Sequence, residues 1–240
     1  MIRNWKFTFA FCLLAAFITG CSGEKGNDET GTDGAEDETT VGTPFTRMVV
    51  HDTCLFIAHT IKDYDVWKAS FELAQPVREK HGIKALNVYR EKNDSSLALV
   101  YTEVQHLKKA KDYITSPNLQ SSMSNAGVVG AMDLYWMSNK LQYTEEVSDS
   151  IMMFMSFKVI NYDRWENAFL QDYKDEPNRD FQVANVMRGV EDDGQVSMIF
   201  AVNDPDYVKK MEKDNVFRAK MLAAGVISYP VTYKLVSMPI

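Results

Sequence analysis

Residues 62–71 read KDYDVWKASF, and residues 160–169 read INYDRWENAF, the same phrase 98 positions later. The offset holds far beyond that phrase. Asn87, Val88 and Arg90 return as Asn185, Val186 and Arg188, while Ala126-Gly127-Val128 returns as Ala224-Gly225-Val226 and Tyr135 as Tyr233. One register kept over some seventy positions is an internal duplication, and a repeat of this period sets the architecture before any local propensity does. Two modules are expected, at 53–143 and 150–240.

Each half reads as strand, helix, strand, strand, helix, strand. In the first, 55–59 is a short apolar strand, and Asp63 caps a helix whose Tyr64, Trp67 and Phe71 share one face. Pro76 ends or restarts that helix, and Gly82 stops it. Strands follow at 83–90 and 97–103. Ser116-Pro117 opens a later helix, Gly127 ends it, and 134–140 is the last strand. The second half repeats the plan with strands at 152–157, 181–188, 196–202 and 232–238. For the third strands the register between halves is open by one residue.

This βαββαβ order is the split βαβ or ferredoxin-like plan: α+β, with both helices on one face of an antiparallel sheet. Yet Leu55, Phe56, Ile57 and Ala58 are consecutive and apolar, as are residues 97–100 and 198–200. Strands apolar on both faces are buried on both faces. Helices provide one cover, and the sheet of the duplicated half is expected to provide the other, giving an intrachain α/β barrel.

The DYDxW helix start, the N-V-x-R strand, the S-P-N-L helix start with its later A-G-V, and the aromatic last strand together resemble the dimeric α/β-barrel superfamily. The branch resembled contains antibiotic-biosynthesis monooxygenase-like domains, and the likeness covers nearly all of 53–238, twice. It implies sheet-to-sheet pairing, made here within one chain, with a homodimer left open. It also implies one of several activities: cofactor-independent oxygenation, isomerisation, haem chemistry or none. The asparagine, tryptophan and histidine constellation of haem-degrading relatives does not map onto this sequence, and no cofactor is expected.

Polar residues that interrupt apolar strands are the candidate site residues. His59 lies in phase with Leu55 and Ile57, and its repeat counterpart is Phe157; as an imidazole it is the candidate base. Asn87 and Asn185 would orient a carbonyl. Arg90 and Arg188 would hold a carboxylate through paired donors, or else satisfy a strand end. Tyr101 and Trp136 would wall a pocket or fill the core, and Trp67 and Trp165 would pack helix onto sheet. The histidines show no metal-ligand spacing, and no glycine loop matches a phosphate or dinucleotide fingerprint. No basic stripe suggests nucleic acid.

The N-terminus carries an address. Arg3 and Lys6 precede an apolar run at 7–18, too short to span a bilayer, and Ile18-Thr19-Gly20-Cys21 follows. The run resembles a bacterial lipoprotein signal, which implies removal of 1–20 and lipidation of Cys21. Residues 22–43 hold seven acids, one lysine and five glycines with almost nothing apolar, so 21–44 is expected to be an acidic tether. That block accounts for most of the chain's net charge of −7, leaving the folded part near balance. Once Cys12 leaves with the signal and Cys21 is acylated, Cys54 is the remaining thiol, a small buried hydrophobe. The expectation is a lipid-anchored protein of the bacterial cell envelope, at the outer membrane because Ser22 follows the cysteine. It would bind a small apolar or aromatic molecule. Two alternatives stand: a monooxygenase-like or isomerase-like enzyme on a small aromatic substrate, and an interaction protein with its pockets filled.

Overall fold

The computed structural model describes residues 45–47, 53–143, 151–175, 180–204 and 206–238. The expected signal segment 1–20, the expected lipidation site Cys21 and the expected tether to residue 44 lie outside the described residues.

Alternation between sheet faces and helix caps written into the sequence fixes the elements. After a short strand β1 (Phe45–Arg47), the first module runs β2 (Thr53–Ile61), α1 (Tyr64–Leu73), α2 (Gln75–Lys80), β3 (Ile83–Glu91), β4 (Leu97–Val104), α3 (Leu107–Ile114), α4 (Pro117–Asn125) and β5 (Val128–Tyr143). The second runs β6 (Ile151–Lys158), α5 (Tyr162–Asp175), β7 (Phe181–Gly189), β8 (Gln195–Val202), α6 (Tyr207–Lys213), α7 (Asn215–Ala223) and β9 (Val231–Met238). Asp63 accepts from the Val66 amide at 2.9 Å to start α1, and Asn161 does the same for Arg164 at 2.8 Å ahead of α5. Pro76 restarts the helix as α2, since its missing N–H costs nothing in a first turn. Gly82, Gly127 and Gly225 take φ of 74°, 86° and 91°, the left-handed turn that ends a helix.

Within each module the strands order as β5-β2-β4-β3 and β9-β6-β8-β7, all antiparallel. The register between halves is identical: Ile57 faces Val100, and 98 residues on Met155 faces Met198. The modules then join edge to edge twice. β3 pairs with β9, and β5 pairs with β7, so the eight strands close into a barrel. β1 adds to the far end of β5, placing Phe45 against Phe169 and Tyr173 of the second module. β5 is longer than the sequence pattern suggests because it serves three partners along its sixteen residues.

Three apolar clusters result. The helices of each module cover the outer face of its own sheet, with Trp67 of α1 clustered with Leu55 and Ile57 in the first and Trp165 of α5 with Met155 and Phe157 in the second. The inward-pointing residues Cys54, Phe56, Leu99, Met137, Phe154, Met187, Ile199 and Leu235 fill the lumen. Phe56 and Phe154 are repeat counterparts, and they stack parallel with centroids 4.0 Å apart. Tyr135 and Tyr233, counterparts as well, bring their hydroxyls to 3.5 Å. A residue that touches its own copy lies on a two-fold axis, so the barrel has the pseudo-symmetry of an isologous dimer folded into one chain.

Candidate functional site

Among the described residues each module has a cavity between helices and sheet, and the two differ. The second module's cleft has a volume of about 780 Å³. Its floor is Met155, Phe157, Met198 and Phe200 from the sheet, and its walls include Trp165 and Phe169 of α5 and Phe217 and Met221 of α7. Sequence dictates this lining, since α5 and α7 each turn one apolar stripe to the sheet. The rim is charged: Asp172, Asp175, Asp180, Asp204 and Asp214 stand against Lys210 and Lys220. Lys220 pairs with Asp172 at 2.9 Å and Lys210 with Asp204 at 2.6 Å, so the cations are spent and the remaining acids set the sign of the mouth. Lys210 holds the Asp204 carboxyl below its usual range.

The first module's cavity is about 100 Å³, lined by His59, Trp67, Phe71, Arg78, Thr102 and Tyr113 among others. Here Arg78 of α2 lies over the Phe71 ring, its guanidinium carbon 3.6 Å from the centroid. His59 is only 4% exposed and tilts against Trp67 with ring centres 5.4 Å apart. Neither of its ring nitrogens has a hydrogen-bond partner, and burial pushes its pKa down to about 4, so the imidazole is neutral at physiological pH. In the second module Phe157 occupies the same place, edge-on to Trp165.

The other sequence candidates fall elsewhere. Asn87 and Asn185 are in phase with Tyr89 and Met187 and so face the lumen, each directly after a bulge in its strand, between Ala85 and Asn87 and between Val183 and Asn185. Tyr101 also points into the lumen, where burial raises its phenol pKa. Arg90 and Arg188 lie on the helix side over the rings of Tyr64 and Tyr162, and Arg188 also pairs with Asp163 and Asp193. Trp136 packs on the helix side of β5, outside the cavity, with Lys111 Nζ 5.6 Å from its ring centre. Cys54 is buried, its thiol 3.6 Å from the Met187 sulfur. The structure therefore brings His59 to a cavity and leaves the remaining candidates apart from it. Arg78 was not singled out by sequence, because a charge on a polar helix reads as solvated. Among the described residues no group of three or more histidine, cysteine, aspartate or glutamate side chains is placed to hold a metal ion.

No family model matches the sequence, and no curated protein does either. Solved structures do. An anthrone oxidase-like protein superposes with a TM-score of 0.51 at 12% identity, over 80% of this chain and 94% of its own. A Fusobacterium nucleatum protein provisionally described as a monooxygenase superposes with a TM-score of 0.50 at 8% identity, again over 80% and 94%. Either match is too long to be one module, so the likeness takes in both. The fold is a mixed α+β barrel of two ferredoxin-like halves. At such identities the likeness concerns the fold and not the chemistry. Within this barrel the lumen is a packed core, and open volume lies under the helices.

Proposed function

We propose that the chain is a lipid-anchored envelope protein whose second module binds a small apolar or amphipathic molecule in the cleft between α5, α7 and the sheet. One observation carries the reading: a volume of about 780 Å³ with an aromatic and methionine lining, where small-molecule pockets commonly occupy about 300–1,000 Å³. Methionine and aromatic walls adapt to flat or irregular apolar surfaces. The acidic rim favours a neutral or cationic head group over an anionic one. The competing reading, oxygenase-like or isomerase-like catalysis on an aromatic substrate, asks for a base in the same space. The candidate base His59 lies in the other module's cavity, so binding takes precedence. Anchoring rests on the sequence around Cys21, and among the described residues no helix is long and apolar enough to cross a membrane.

Titration of the full chain with the neutral fluorescent probe N-phenyl-1-naphthylamine tests the cleft. Saturable binding is expected, weakened about tenfold or more by Ala168→Trp, which fills the cleft from α5. Partitioning of probe into acyl chains is common to both proteins and cancels in the comparison. Equal affinity in the two would overturn the assignment. A Cys21→Ala chain that still labels with lipid and stays in the membrane fraction would overturn the anchor.

A further inference from the structure

The first module's cavity holds two buried polar groups that its own fold leaves unsatisfied. His59 has neither ring nitrogen engaged. Arg78 is 9% exposed; one terminal nitrogen donates to the Phe71 carbonyl, while its Nε is buried without a partner. Arg78 forms no ion pair among those made by the described residues, and burial lowers its pKa, opposed by the neighbouring Tyr113 and the exposed Glu79 beside it on α2. A buried cation without a counter-ion and a buried imidazole without a partner are both costly, and a fold retains such groups where something else satisfies them.

The repeat acts as an internal control. Were the His59 side chain required by the fold, the second copy would keep it, and that copy has Phe157 there instead. Arg78 stands in the phrase Gln75-Pro76-Val77-Arg78-Glu79, echoed 101 positions on as Glu176-Pro177-Asn178-Arg179-Asp180, of which 176–179 lie outside the described residues. Trp67 and Phe71, in contrast, recur as Trp165 and Phe169 and stack the same way, with centroids 5.2 Å and 5.3 Å apart. The packing residues were kept in both copies and the histidine in one.

We propose that this cavity receives a small organic monocarboxylate, distinct from the guest of the second module. Its carboxylate would be held by Arg78 and His59, and its short apolar body would lie against Trp67 and Phe71. The unpartnered Nε edge of a guanidinium matches the two oxygens of a carboxylate, and a neutral imidazole adds one N–H donor. The volume of about 100 Å³ limits the guest. It equals the share of about three liquid waters and is smaller than a cavity that takes benzene, which admits a body of about four to six heavy atoms.

The test uses the full chain, ¹⁵N-labelled at histidine, titrated with sodium propionate and separately with propionamide, its neutral isostere. Propionate should shift the ring nitrogens of His59 saturably, with propionamide at least about tenfold weaker. His59→Phe, which installs the side chain the second module already accommodates, should weaken propionate by a similar factor in calorimetric titration, and so should Arg78→Gln. If Arg78→Gln does not fold, Arg78→Lys keeps the charge, removes the fork and should still lose affinity. Equal binding of the amide, unchanged affinity in His59→Phe and the foldable Arg78 variant, or the absence of any saturable His59 shift would overturn the proposal. The naphthylamine titration reads the other module, so either result can fail alone.

Discussion

The guanidinium of Arg90 lies over the ring of Tyr64, 4.7 Å from its centre, and 98 residues later Arg188 lies over Tyr162 at 4.8 Å. The two most faithfully repeated phrases of the sequence, the Y-D-x-W helix start and the N-V-x-R strand, are thus the two sides of one contact. It pins the first turn of α1 or α5 to the end of β3 or β7. Arg90 also donates to the Ser95 carbonyl at 2.8 Å, and Arg188 to that of Asp193 at 3.3 Å, tying each β-turn to the same point.

Replacing either arginine by methionine should therefore lower stability and leave both cavities intact. The expected loss is about 1 kcal/mol for each, with near-additivity in the double variant because the sites lie in separate modules. Urea denaturation followed by circular dichroism measures it. A loss of probe binding at unchanged stability would mean that the arginines serve a ligand after all.

His59 predicts a pH dependence with a definite sign. Its folded pKa is about 4, below the ordinary value of 6.5. Above pH 6.5 both folded and unfolded chains carry a neutral imidazole, and the group adds no pH dependence. As pH falls from 6.5 toward 4, the unfolded chain takes up a proton that the folded chain refuses, so stability drops by about 1.4 kcal/mol per unit, roughly 3 kcal/mol in all. Below pH 4 the term is constant. The difference in unfolding free energy between wild type and His59→Phe, measured from pH 7.5 to pH 4, should trace that curve; a flat difference would show the imidazole to be solvated.

The filled lumen predicts that neither module stands alone. A chain of residues 44–145 would expose Phe56, Leu99 and Met137 on one sheet face, together with the edges of β3 and β5 that pair with β9 and β7. Light scattering on that fragment should find a dimer or larger species and no ordered monomer. A folded monomer with a wetted sheet face would contradict the packing described above.

Much of this was legible before any coordinates. The doubly apolar strands demanded a second cover, and the repeat named it. Asp63, Gly82, Ser116 and Gly127 marked element ends because caps and left-handed turns depend on the residues themselves. The site was less legible. Asn87 and Asn185 recur at a strand bulge in both copies, and a sequence cannot separate a position repeated for backbone geometry from one repeated for chemistry. The large cleft is built from ordinary core residue types, and a run of such residues does not tell a filled core from a hollow one. The useful signal lay in where the copies disagree: His59 against Phe157 was visible in the alignment of the chain with itself.

Joining β5 to β7 and β3 to β9 within one polypeptide has an evolutionary effect besides closing the ring. In an assembly of two identical subunits every substitution is made twice, so a change that suits one chamber is forced upon its mirror image. Here a single codon alters a single chamber. A histidine can be tried on one side while phenylalanine keeps its place on the other, and one ancestral hollow can become two receptors with different tastes.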